Sequence, residues 1–138
     1  MFWKNNFSLD QLNQMSANTL NETLGILFVE IGEEHLIAKM PVDARHHQPA
    51  GLLHGGANVV LAETLGSVAA YLATEDPQSK KIVGIEINAN HLKGVRSGFV
   101  IGKVTAVKGG RTIHVWQIEI RDDTGELTCT SRITVGVF

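Results

Sequence analysis

Apolar positions along this chain change their period once. The longest unbroken pattern runs from Gly55 to about Thr74 and is helical: Leu61, Leu65, Val68 and Leu72 fall within about 60° of one another on a wheel. Beyond it the period becomes that of strands. "KIVGIEINANHL", "GFVIGKVTAVK", "TIHVWQIEI" and "LTCTSRITVGVF" are rich in Val, Ile and Thr, and "KGVRSG", "GGR" and "DDTGE" divide them as turn signals. With no helix between them, neighbouring strands are expected to be antiparallel and to form a four-stranded meander. Upstream, Ser8 to about Asn21 has short-helix character with Ser8 as N-cap. "LGILFVEI" and "HLIAKMPV", split by "GEE", read as a hairpin, and "DARHHQPAGLL" as a loop. The pattern predicts a single α+β domain over residues 1–138, an antiparallel sheet wrapped around one long central helix. It shows no repeat, low-complexity segment or linker.

Composition narrows the possibilities. Apolar residues at 43% and charged residues at 19% describe a globular chain, and its 138 residues suffice for one core. A formal charge of −2 and the lack of a Lys/Arg block give no case for nucleic acid. No run is long enough for a membrane span, and "MFWKNNFSLDQ" lacks the apolar core of a signal peptide. Cys129 is the sole cysteine and suits a reducing compartment. The expectation is a cytoplasmic protein with no nucleic-acid or membrane partner, and Cys129 reads as a packed strand residue.

The candidate chemistry lies in the long helix. Glu63 is its only charge between Gly55 and Thr74, and on the wheel it falls near 200° from Leu61. Val59, Val60, Gly66, Ser67 and Ala70 share that face, which is too apolar for a solvated surface. One side of the helix can meet its own sheet; the other then calls for a second subunit. A carboxylate in such a seam is costly unless hydrogen-bonded or put to use, and the pattern leaves catalytic and structural roles open. At the helix start, Gly55 and Gly56 allow a ligand close to N–H groups that lack an intrahelical acceptor. Such a cradle suits the oxyanion of acyl transfer, though a glycine pair can equally just open a helix. Glu63 lies roughly 12 Å along the axis from Gly55, too far for both to reach one carbonyl carbon. If the two act together, they do so between antiparallel helices of two copies.

The stretch "QPAGLLHGG", with Glu63 eight residues after Gly55, resembles the hotdog-fold acyl-CoA thioesterases. The similarity is to the group of the Arthrobacter-type 4-hydroxybenzoyl-CoA thioesterase, and within it to the 1,4-dihydroxy-2-naphthoyl-CoA branch, which would point to menaquinone biosynthesis. It extends from about Leu24 to Phe138. The resemblance implies that the Gly55 N–H polarises the thioester carbonyl, with the Gln48 side chain as a second donor. Glu63 of the neighbouring subunit would be nucleophile or general base. Ser67, one turn on, would bind the attacking water or the carboxylate, and His54 would orient the acyl group or the loop. Coenzyme A, as part of the substrate, would lie along Asn88, Ala89, Asn90, His91 and Leu92 and along Ala106, Val107, Lys108, Gly109, Gly110 and Arg111. His91, Lys93, Lys108 and Arg111 would answer its phosphates. Gly109-Gly110 alone would read as a plain hairpin turn. No further cofactor and no metal is implied, and the assembly would be a homodimer at least, with a tetramer as a dimer of dimers.

Other readings fit less well. His46, His47 and His54 with Asp43 and Glu63 lack the spacing of a metal site. Ser67 has no G-x-S-x-G setting, and Cys129 no electropositive one. His35, His114, Trp3 and Trp116 read as structural. A hotdog dehydratase or hydratase would also combine a loop His with a helix carboxylate. Its Phe-Pro-Gly and Pro-Gly signatures are missing, and Gln48 stands five after Asp43, where the hydratase pattern has His. A non-catalytic acyl-CoA-binding module is the reading from another class.

Overall fold

The computed structural model describes residues 2–138. Ser8 caps helix α1 (Leu9–Gln14): its Oγ accepts the Gln11 N–H at 3.1 Å, and Gln11 Oε1 accepts the Ser8 N–H at 2.8 Å. The expected helix to Asn21 is in fact interrupted. Asn18 adopts a left-handed conformation (φ 61°), and a separate short helix α2 (Leu20–Thr23) follows. β1 (Leu27–Ile31) and β2 (His35–Pro41) form the expected hairpin, and the Trp3 indole N–H donates to the Gly32 carbonyl at its turn (2.8 Å). The long helix α3 (Gly55–Leu72) is eighteen residues, about 27 Å. A 3-10 turn at Pro77–Ser79 leads to β3 (Ile82–His91), β4 (Phe99–Gly109), β5 (Ile113–Asp122) and β6 (Leu127–Val137).

The six strands are antiparallel in the order β1-β2-β4-β5-β6-β3. The meander therefore covers β4, β5 and β6 only, and β3 pairs with β6 at the far edge instead of with β4. Residues 92–98 cross three strand spacings, about 14 Å, which an extended stretch of that length spans easily. The arrangement shields β6, whose Cys129, Ile133 and Val135 are fully buried, and leaves β3 at one open edge, with β1 at the other. Val83 and Ile85 lie exposed along it.

The sheet curls round α3, which packs against β2, β3, β4, β5 and β6. Leu61, Leu65 and Leu72 are buried as the wheel predicts and Ala69 is buried beside them, whereas Val68 is only half-buried. Gly66 and Ala70, assigned above to the opposite face, are buried too, because the sheet wraps further than a flat layer. A Cβ at Gly66 would sit 2.4 Å from Ile133 Cγ2, and one at Gly102 would sit 2.6 Å from Leu65 Cδ1. Beyond its first turn, what remains open or partly open on α3 is the face of Val59, Val60, Glu63, Thr64, Ser67, Val68 and Tyr71. Trp3 stacks on Trp116 with ring centroids 6.2 Å apart, so both tryptophans pack. All these elements share one hydrophobic core.

The β5–β6 turn is tied to the crossover. Asp122 accepts from the backbone N–H groups of Thr124 and Glu126 (both 3.0 Å) and from Lys93 Nζ (2.8 Å). The Lys93 ammonium and these donors hold its carboxyl well below the usual carboxylate range. This anchors the chain beside the helix start.

Two outcomes follow from the packing. Gly66→Ala is expected to lower stability by roughly 1–2 kcal/mol, because the stiff Ile133 methyl cannot yield; the overpacking outweighs alanine's helix preference. Urea unfolding checks the sign. Asp122 has a depressed folded pKa, so its contribution is present above about pH 4 and fades as pH falls through the folded value. Asp122→Asn should be less stable than wild type at neutral pH, with the gap narrowing in acid, as read by thermal unfolding across pH.

Candidate active site

The loop before α3 is firmly ordered. His46 is buried; its Nε2 lies 2.7 Å from the Leu24 carbonyl and its Nδ1 3.1 Å from the Asp43 N–H, so the ring is tied into the loop. His47 Nε2 lies 2.8 Å from the Arg96 carbonyl, so the two histidines diverge. Gly51, in the left-handed region at φ 79°, closes the turn that places Gln48 at the helix start. Gln48 Oε1 takes the Ala50 N–H, which leaves its side-chain NH₂ as the free end.

Helix α3 then begins with an unequal use of its first four N–H groups. His54 is the N-cap: its Nδ1 accepts from Gly56 N–H (2.8 Å), and its carbonyl accepts from Ala57 (2.9 Å) and Asn58 (3.3 Å). Of these four, only the Gly55 N–H has no acceptor. It borders a cleft of about 340 Å³ lined by Gln48, Asn58, His91, Leu92 and Lys93 among others. The positive end of the helix dipole and two unspent donor groups, the Gly55 N–H and the Gln48 NH₂, therefore border one concavity.

His91 closes over Gly55. A Cβ there would meet its Nε2 at 2.7 Å, so only glycine permits this approach. Asn58, one turn into the helix, is buried; its Nδ2 is 3.3 Å from His91 Nδ1 and its Oδ1 has no hydrogen-bond partner. Sequence reasoning passed over Asn58 by attending to charges. An amide within an otherwise apolar helical run was the available signal.

Glu63 stands apart from this cleft. Its carboxylate is exposed in the single chain and lies against β3, where a Cβ at Gly84 would be 3.0 Å from Oε2. A small depression of about 110 Å³ separates it from Ile85, Glu86, Ile87 and Ile133. Ser67, half-buried, is on the same face one turn on. The two proposed coenzyme stretches also part company. Asn88, Ala89 and Asn90 run along the open β3 edge toward His91 and Leu92 at the helix start. Ala106, Val107, Lys108 and Gly109 end β4, and Gly109, Gly110 and Arg111 border a cavity of about 740 Å³ near Ala73, at the other end of α3. One chain thus unites Gln48, Gly55, His91, Leu92 and Lys93. It does not bring Glu63, Ser67 or residues 106–111 to them, and it uses His54 as a cap.

The remaining nucleophile is inert. Cys129 is fully buried, and desolvation pushes its thiol up to about 11. His114 is buried against Trp116; desolvation lowers its pKa, and the Gly110 backbone offsets part of this. No group of three or more His, Cys, Asp or Glu among the described residues could hold a metal ion, and no described helix is long and apolar enough to cross a membrane.

Comparison with known proteins defines the class. The sequence profile of the Thioesterase superfamily matches residues 50–129. The 1,4-dihydroxy-2-naphthoyl-CoA hydrolase of Escherichia coli is 50% identical over 138 residues, covering the whole of both chains. The proofreading thioesterase EntH of Cronobacter sakazakii is 47% identical over all of this chain and 99% of its own. A solved thioesterase from Haemophilus influenzae superposes with a TM-score of 0.96 at 48% identity, covering 100% of this chain and 95% of that one. The chain belongs to the thioesterase superfamily and has its hotdog fold. It is an enzyme of the thioester-hydrolase class.

Cys129 is expected to resist an aromatic disulfide reagent at about pH 8 while folded and to react fully in guanidinium. Rapid labelling of the native enzyme would contradict its placement.

Proposed function

We propose that the enzyme hydrolyses aromatic acyl-CoA thioesters at a site completed by two copies of the chain. The observation that carries this reading is the unspent Gly55 N–H at the positive end of α3, beside the Gln48 amide. The thioester oxygen would sit between these donors, where charge develops in the tetrahedral intermediate. Glu63 lies about 12 Å further along the same rod, so the carboxylate at this carbonyl must come from Glu63 of the partner subunit. An antiparallel pairing of two α3 helices about a two-fold axis would supply it. The open β3 edge, with Val83 and Ile85 exposed, supports such a pairing. The same symmetry would bring residues 106–111 of one copy toward residues 88–92 of the other.

Glu63 then either attacks the carbonyl carbon, giving a mixed anhydride that water hydrolyses, or takes a proton from an attacking water. In both routes the C–S bond breaks and coenzyme A leaves as the thiolate. Ser67 would hold the water or the carboxylate. His54, spent on capping, would act by fixing the helix start. Coenzyme A serves as part of the substrate, and the reaction calls on no other cofactor. The aromatic acyl group rests on the name of the Escherichia coli relative, which makes 1,4-dihydroxy-2-naphthoyl-CoA the first substrate to try, with benzoyl-CoA as a simpler probe.

Glu63→Ala is expected to lower kcat for thiol release by about 10²-fold or more, and Gln48→Ala by less. Sedimentation at assay concentration should show a dimer or larger. Near-full turnover by Glu63→Ala, or full activity in a monomer, would remove the mechanism.

A further inference from the structure

We propose that Asn58 is a positioning residue that holds the His91 imidazole with its proton on Nε2, over Gly55, where it adds a third donor for the substrate carbonyl oxygen. The proposal rests on the reading of the Gly55 N–H as an oxyanion donor and assigns new roles at that site to two side chains.

Four observations carry it. Asn58 follows Gly55 by three residues, so both occupy one face of the first turn of α3. Asn58 is 4% exposed, and the one hydrogen-bond partner of its side chain is His91, Nδ2 to Nδ1 at 3.3 Å. The other ring nitrogen, Nε2, is 2.7 Å from the position of a Cβ on Gly55, with Cδ2 and Cε1 at 3.1 Å, so the ring edge covers the residue whose N–H is free. His91 is itself pinned: it pairs with Cys129 as the last residue of β3, and the Leu92 N–H donates to the Thr128 carbonyl (2.8 Å).

The chemistry follows from the donor inventory. A neutral imidazole has one donor and one acceptor nitrogen, and the bond at one decides the role of the other. With the Asn58 amide N–H donating to Nδ1, the proton must reside on Nε2, the atom facing Gly55. In the orientation seen, one amide N–H serves the ring, while the second N–H and Oδ1 have no protein partner. The orphaned Oδ1 is still a cost. Alanine, which fills neighbouring positions 57 and 62, would avoid it altogether. An amide kept at that cost, with its only bond to a ring over the helix start, is explained by orienting that ring. Hydrogen bonds of this kind are often long before substrate binds and tighten in the complex.

The test combines a double-mutant cycle with a spectroscopic readout on the full-length oligomer. Asn58→Ala and His91→Ala are each expected to lower kcat on benzoyl-CoA roughly tenfold or more, with a much smaller change in KM. The double variant should lose no more than His91→Ala alone. In ¹⁵N-detected imidazole spectra of the wild-type enzyme, His91 should carry its proton on Nε2; in Asn58→Ala it should shift toward a mixture. Additive losses, an unchanged kcat in Asn58→Ala, or a wild-type proton on Nδ1 would overturn the proposal. A raised KM with intact kcat in His91→Ala would also overturn it, placing His91 on the coenzyme instead. The tautomer measurement is independent of turnover, so loss of the Glu63 mechanism and loss of this inference remain separable.

Discussion

Everything in this molecule is arranged around one rigid rod held in a curved sheet. Helix α3 is buried on most of its circumference because the strands bend round it, and two glycines, Gly66 and Gly102, let helix and sheet close to contact. Dense packing of this kind leaves the helix no freedom to slide or bend. The positions of its start, its middle and its end are therefore fixed relative to one another. Each group of the candidate site is placed by where it stands on or beside that rod.

At the start of the rod, polar groups are distributed so that one is left over. The His54 side chain and carbonyl take up the N–H groups of residues 56, 57 and 58, which stabilises the helix and removes competitors. The N–H of Gly55 stays unspent, with the Gln48 amide beside it and the His91 ring above. A loop with its own turn at Gly51 and a strand end tied to Thr128 hold these side chains, so the cradle is formed before substrate arrives. Preorganised donors are effective because they need little rearrangement as charge develops.

Rigidity also divides the site. The carboxylate of Glu63 cannot move about 12 Å along a packed helix, and residues 106–111 sit near its far end. The proposed two-fold pairing would reverse the rod, setting middle against start and far end against near end. In the proposed pairing, burial of an exposed apolar edge on β3 and completion of a reaction centre would be the same event, coupling assembly to activity.

The period of the chain determined the elements by itself: a hairpin, one long helix and four strands follow from where side chains must point to be buried. The N-cap at Ser8 and the helix start at Gly55 were equally legible, since caps are local chemistry. So was Glu63, because a lone charge in an apolar helix breaks the pattern. Three features were decided only in the folded molecule. The pairing of β3 with β6 depends on which strand most needs covering, a comparison between segments distant in sequence. The break at Asn18 lets α1 pack on β1 and α2 on α3, two partners that one continuous helix would not serve. The Asn58–His91 contact joins residues 33 apart. Local sequence specifies backbone preference and which faces are apolar; it carries no record of which distant groups a curved sheet will bring within hydrogen-bonding reach.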